Sequence, residues 1–360
     1  MKFLQNRILF ISGKNHVTYV TKEIRMLEKV REVTLDTFGY DKFIELCHVE
    51  RVSTTDIDKL LSINPYEKAI MLMGGNWGLP DKKQWIDYFS MGFECNDNII
   101  RLELLSPIQI RGIDHLKNAR RNLVELSNVK NRIEKSIESR EFIKIASRYV
   151  PKNVVKENLE VILLVFMPNA GGSQSIIIDV PFLISYNENE ISRILAHELH
   201  HILRSRLEKE YQWKDKHWGI GQSLYWFESE GVANLCNFEE TAKIYTDFGY
   251  AKPGQINMIL ENIDYYIKAT NDLITDVLKG KRTSDELIQF LSEDVKFHVI
   301  GYFLAKTISS TLGDENLGKV VGDPIEFLNM YQRACILNKN EKQYGFSDEM
   351  FSLLKAAYIG

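Results

Sequence analysis

Residues 188–204 read ENEISRILAHELHHILR, and the stretch His197-Glu198-Leu199-His200-His201 inside them decides how the rest of the chain is read. Ile191, Ile194, Leu195, Leu199, Ile202 and Leu203 recur with a helical period. Asn187 or Asn189 is placed to cap the helix, and Glu188 and Glu190 complement the positive end of its dipole. On such a helix His197 and His201 project from one face, one turn apart. This HExxH spacing lets two imidazole nitrogens reach a single Zn2+. The Glu198 carboxylate then points at a water in the open metal position. Burying three histidines within five positions of an apolar helix is costly unless each finds a partner, which argues against a purely structural origin. His200 lies off the ligand spacing and is read as a packing or supporting residue.

A metal held by two imidazoles needs a third ligand. Residues 223–234 (SLYWFESEGVAN) read as a second helix with two carboxylates, Glu228 and Glu230, on different faces. Either could complete a His2Glu set that leaves one position for water. Glu230 is preferred, because Gly231 beside it permits close backbone approach and Asn234 follows one turn on, placed to hydrogen-bond a ligand. Glu228 is read as a solvated helix carboxylate.

With these residues in place a resemblance emerges. HELHH followed by ESEGVAN resembles the gluzincin metallopeptidases, whose third zinc ligand is a glutamate on a later helix. The piece Glu230-Gly231-Val232-Ala233 is similar to the zinc-binding segment of their aminopeptidase branch. Asn234 stands where the thermolysin branch carries an acidic residue. Residues 140–310 resemble, closer still, uncharacterised bacterial proteins described as zinc-dependent peptidases. In those a Tyr-x-Pro element and a short strand pair precede the histidine helix. Tyr149, Val150 and Pro151, then residues 159–180, then residues 196–201 follow that order here.

The resemblance implies peptide-bond hydrolysis on zinc held by His197, His201 and Glu230, with Glu198 as general base. It also implies an edge strand that binds substrate backbone, and a Tyr or His that stabilises the oxyanion. For the strand, residues 159–166 (LEVILLVF) form a continuous apolar run, residues 168–172 (PNAGG) a turn cluster, and residues 175–180 (SIIIDV) a second strand. The Gly171-Gly172 turn and the strand after it are the natural equivalent of the substrate edge, or else a plain hairpin that shields the helix. For the oxyanion, residues 294–311 read as an apolar helix with His298 and Tyr302 on one face, and Gly301 and Ala305 nearby allow close packing. The choice between His298 and Tyr302 stays open.

The remainder is read more coarsely. The chain has 360 residues, 44% of them hydrophobic, and a net charge of −4. That charge gives no reason to expect nucleic acid or an anionic membrane as partner. No apolar run is long enough to span a bilayer, and the N-terminus lacks a signal-peptide pattern. Cys47, Cys95, Cys236 and Cys335 show no metal or redox spacing and read as reduced thiols of a cytoplasmic protein. Residues 7–12 (RILFIS) look strand-like and precede a Lys/Glu-rich amphipathic stretch.

Two short helices are expected over 37–64, separated by residues 51–55 (RVSTT). Leu116, Ala119, Leu123, Leu126, Val129, Ile133 and Ile137 imply one long helix or two. Residues 205–222 form a long connection, read first as a solvated excursion that its aromatics Tyr211, Trp213 and Trp218 pin to the domain, and alternatively as a cover over the cleft to which Gly219 and Gly221 give freedom to move. His16, His48, His115 and His217 default to surface or boundary. Asp323-Pro324 and Ser347-Asp348-Glu349 open late helices.

The expectation is therefore an α+β fold, mostly α-helical, with a zincin-like module over 141–245. That module comprises strands within 159–180, the HExxH helix 188–204 and a Glu helix 223–238. A helical region precedes it (1–140), and a second (246–360) closes the cleft. The substrate is expected to be a peptide or protein. The alternatives are a helical interaction protein with a structural or relic metal site, and a zinc hydrolase of a non-peptide amide.

Overall fold

The computed structural model describes residues 16–19, 30–75, 78–95, 106–154, 156–338 and 345–359. The fold is α+β and mostly helical, as the sequence implies. Residues 7–12 lie outside the described part. Packing divides the chain into two compact units, residues 1–143 with 155–198, and residues 144–154 with 199–360.

The first unit is built on a five-stranded mixed sheet. Its strands are β1 (His16–Tyr19), β2 (Val30–Asp36), β3 (Lys156–Leu164), β4 (Ala170–Gly172) and β5 (Ile176–Asp179), in the spatial order β1-β2-β3-β5-β4. Two of the five therefore come from the part of the chain read as helical. In β2, Val30, Val33 and Leu35 are buried in a chain rich in β-branched residues, which favours a strand over an amphipathic helix. Strands β2 and β3 run parallel, as do β3 and β5, whereas β1 and β4 are antiparallel to their neighbours. Strand β3 has both faces covered, so 159–164 is a continuous apolar run, every residue but Glu160 buried.

Helices of the first unit are α1 (Phe38–Cys47), α2 (Thr54–Leu61), α3 (Asn64–Met73), α4 (Lys82–Phe93), α5 (Pro107–Arg121) and α6 (Leu123–Ser139). Helix α7 (Glu141–Ser147) and, after the sheet, α8 (Glu188–Arg204) each begin in the first unit and end in the second. Reciprocal capping fixes several starts. Ser53 accepts from the Asp56 N–H while Asp56 accepts from the Ser53 N–H, and Ser106 and Gln109 do the same ahead of Pro107. The heptad-like run over 113–149 resolves into three successive helices, α5 to α7.

Buried Asp179 ties the sheet's end together. Its carboxylate accepts from the Phe166 and Phe182 N–H groups at 2.8 and 2.9 Å and lies 2.6 Å from His115 Nε2. Desolvation holds this carboxyl above its ordinary pKa, against the pull of His115.

The second unit is helical: α9 (Trp218–Ala233), α10 (Phe238–Asp247), α11 (Gln255–Glu261), α12 (Ile263–Leu278), α13 (Ser284–Ser292), α14 (Lys296–Leu312), α15 (Asp314–Gly318), α16 (Pro324–Leu337) and α17 (Asp348–Leu354). A two-residue ladder pairs β6 (Gln212–Trp213) with β7 (Tyr358–Ile359). Around it the rings of Tyr211, Trp213 and Tyr358 cluster, and Tyr211 donates to Asp323, so aromatics pin the connection between α8 and α9. Gly219 and Gly221 favour the pinned reading over the mobile one. They sit inside α9, where a Cβ would collide with Ser284 and with the Trp213 ring, so they serve packing rather than movement. Asp323 and Ser347 cap α16 and α17 as read. Among the described residues no helix is long and apolar enough to cross a membrane.

Among the described residues no disulfide forms. Burial pushes the Cys47 thiol up to about 12 and raises Cys236 as well. The thiolate is the reactive form, so a rise of this size slows Cys47 alkylation at pH 8 by roughly a thousandfold. Mass spectrometry of iodoacetamide-treated protein is expected to show Cys47 and Cys236 unmodified in the native state and modified in denaturant.

Candidate metal centre

Helix α8 carries the two histidines and Glu198. Asn187 caps it: its side-chain oxygen accepts from the N–H groups of Asn189 and Glu190, and Glu190 accepts from the Asn187 N–H at 2.7 Å. The six apolar residues read as its buried stripe are all 2% exposed or less. His197 and Glu198 are 7% and 9% exposed, and His201 is partly open. His200 is fully buried.

The HExxH helix runs along the sheet's edge. Strand β4 is made of Ala170, Gly171 and Gly172, so the residues read as a turn are the edge strand itself. The true turn is 173–175, where the Ser173 N–H donates to the Ser175 carbonyl and brings β4 antiparallel onto β5. Strands β3 and β5 are adjacent and parallel, not a hairpin, because the chain runs back along β4, on the far side of β5, before it enters β5. The glycines answer a packing demand. A Cβ on Gly171 would strike Met73 of α3, and one on Gly172 would strike the Glu198 carbonyl of α8. Successive strand residues face opposite sides, so each glycine admits one helix.

Helix α9 starts at Trp218 and ends at Ala233, earlier at both ends than the 223–238 expected. It separates the two carboxylates. Glu228 is fully buried, which corrects its reading as solvated. Its Oε2 lies 2.7 Å from Arg204 Nε and 2.6 Å from Nη2, and its Oε1 accepts from the Gly322 N–H at 2.9 Å. Glu230 turns to the histidines instead. Ligand-type atoms of His197, His201 and Glu230 all lie within 4.8 Å of one another, and among the described residues no other group of His, Cys, Asp and Glu is so gathered. His201 Nε2 is 3.6 Å from Glu230 Oε2, while His201 Nδ1 lies 3.1 Å from Ser229 Oγ. An imidazole held at one nitrogen by a hydroxyl presents the other in fixed orientation. Two nitrogens and one carboxylate oxygen on two helices form the donor set that zinc accepts in catalytic sites.

Helix α14 crosses α9 at a glycine contact. A Cβ on Gly231 would collide with the Gly301 main chain, and one on Gly301 with the Phe227 carbonyl. Gly231→Ala therefore forces the helices apart beside Glu230. Overpacking of this kind costs about 1–3 kcal/mol, measurable as a fall in unfolding free energy in urea, with zinc affinity reduced alongside.

The close crossing brings His298 to Glu230, Nδ1 to Oε2 at 3.4 Å. Tyr302, one turn on, stacks on Phe238 with ring centroids 3.7 Å apart, and Lys306 lies over its ring. Asn234 reaches His298, not the ligand histidines. Two site residues escaped the sequence reading. Ser229 sits inside the motif segment but has no spacing signature. Tyr245 of α10 is 2.6 Å from His298 Nε2, and nothing local marks it. His217, expected at the surface or boundary, is buried, and desolvation lowers its pKa.

Comparison with curated proteins and with solved structures finds no match. A family model does match, over residues 57–340, which takes in α8, α9 and α14. Its description is "Putative zinc dependent peptidase (DUF5700)", and since it spans well over half of the chain, the protein belongs to that family.

Proposed function

We propose that the protein hydrolyses peptide bonds with a zinc-activated water, in the manner of gluzincin metallopeptidases. The observation that carries this reading is the convergence of His197, His201 and Glu230 beside Glu198 of the HExxH helix. Those three residues would hold the metal. Zinc bound there supplies Lewis acidity that brings the pKa of a water toward neutrality.

Glu198 accepts a proton from the attacking water and returns it to the leaving amine. Its burial keeps the carboxylate away from bulk solvent, where proton transfer would compete. Among the described residues β4 is the last strand of the sheet, so its outer edge offers main-chain donors and acceptors to an extended peptide. Such an edge favours a peptide or protein substrate over a compact amide.

The test is metal analysis of the purified protein together with digestion of a broad peptide mixture read by mass spectrometry. One zinc per chain, and cleavage that stops with a chelator and returns with zinc, is the expected result. Stoichiometric zinc that raises thermal stability with no cleavage would instead identify a structural metal. Absence of bound metal would end the proposal.

A further inference from the structure

Beside the two imidazoles of the candidate ligand set, Glu230 has a third, which lies outside that set. His298 puts Nδ1 3.4 Å from Glu230 Oε2. The same ring meets the Tyr245 hydroxyl, 2.6 Å from Nε2 and 3.0 Å from Nδ1. A hydroxyl that donates at the shorter contact makes Nε2 the acceptor. The proton of the neutral ring then sits on Nδ1, the nitrogen that faces the carboxylate.

The surroundings hold the ring in that pose. The Phe297 and Tyr245 rings lie against it at centroid distances of 4.2 and 4.7 Å. The Asn234 amide nitrogen is 3.3 Å from Nδ1 and 3.5 Å from the His298 carbonyl oxygen, the acceptor it meets when Nδ1 carries the proton. His298 itself is 9% exposed. Helix α14 also begins from a strained turn: Asp294 and Val295 hold φ of 51° and 52°, in the left-handed region that a β-branched residue avoids. Backbone strain just ahead of His298 implies that the surrounding packing fixes where this helix starts.

We infer that Tyr245 and His298 form a chain ending on the Glu230 carboxylate, in which His298 is a positioning residue for the third metal ligand rather than the oxyanion donor suggested by its sequence context. An imidazole N–H on Oε2, the oxygen that also lies 3.6 Å from His201 Nε2, limits rotation of the carboxylate and holds that oxygen toward the ligand histidines. Tyr245 fixes which ring nitrogen carries the proton. This inference rests on the zinc reading of the site.

The experiment is a competition titration of zinc against a chromogenic chelator, which needs no substrate. Partners of ligating residues contribute about 10- to 100-fold to metal affinity. His298→Ala is expected to weaken zinc binding within that range. His298→Asn, whose amide N–H replaces that of Nδ1, is expected to recover most of the loss. Tyr245→Phe weakens binding severalfold in the native background and adds nothing in His298→Ala, because the chain is already broken. Circular dichroism and thermal unfolding accompany each variant, and Tyr245→Phe and His298→Asn carry the test if His298→Ala fails to fold. Wild-type protein that binds zinc, with affinity unchanged within twofold in folded His298→Ala or Tyr245→Phe, would overturn this inference and leave the peptidase proposal standing. A wild-type chain without zinc would overturn both.

Discussion

Glu198→Gln is expected to retain zinc at wild-type stoichiometry and to lose peptide hydrolysis by about 10²- to 10⁴-fold, the usual contribution of a positioned general base. Glutamine matches glutamate in size but cannot accept a proton. Glu198 is outside the His197, His201 and Glu230 group, so its charge is not needed to hold the metal. The backbone of Glu198 packs on Gly172, a contact the substitution leaves intact. Metal analysis and a cleavage assay on the same preparation read the two quantities separately. A variant that cleaves at the wild-type rate would remove Glu198 from the mechanism. One that loses its zinc would show that the carboxylate is a ligand.

Arg204→Ala is expected to destabilise the fold by about 3–5 kcal/mol, the cost of leaving a buried charge without its partner. Side chains in this pair are 2% and 0% exposed. Desolvation already pushes the Glu228 carboxyl above the ordinary carboxylate range, with Arg204 opposing that rise. The Tyr225 ring lies 4.4 Å from the guanidinium, and Gly322 supplies a further donor to Glu228. Without Arg204 the carboxylate must take up a proton or draw in water. Exchanging both partners, as Arg204→Met with Glu228→Leu, removes the unpaired charge and is expected to restore most of the stability. Urea unfolding of the two proteins reads the difference. If Arg204→Ala unfolds with wild-type free energy, the pair is not the fastener at the end of the HExxH helix that its burial implies.

Legibility in the sequence followed the range of the interaction concerned. Helix α8 was readable because its cap, apolar stripe and histidine spacing are all local. The cap ahead of Asp56 at Ser53 and the Asp323-Pro324 start have the same character. Failures were non-local. The pairing of 30–36 with 156–162 joins segments more than a hundred residues apart, and no periodicity announces it. Glycines 171 and 172 look like a turn by composition, yet they exist because a helix presses on each side of one strand. Glu228 was read as solvated beside the preferred ligand Glu230; only the position of Arg204, distant in sequence, shows that it is buried in an ion pair.

The sequence by itself determined the mostly helical α+β class and the donor types at the centre. It also set the one-turn spacing of His197 and His201, since these depend on residues within a helical turn or two. Tertiary structure alone decided that Glu228 is buried against Arg204, that Tyr245 meets His298, and where the edge strand lies. Those outcomes depend on how closely separate elements approach, which is set by side-chain volume at crossings such as Gly231 on Gly301, and no local pattern encodes that distance.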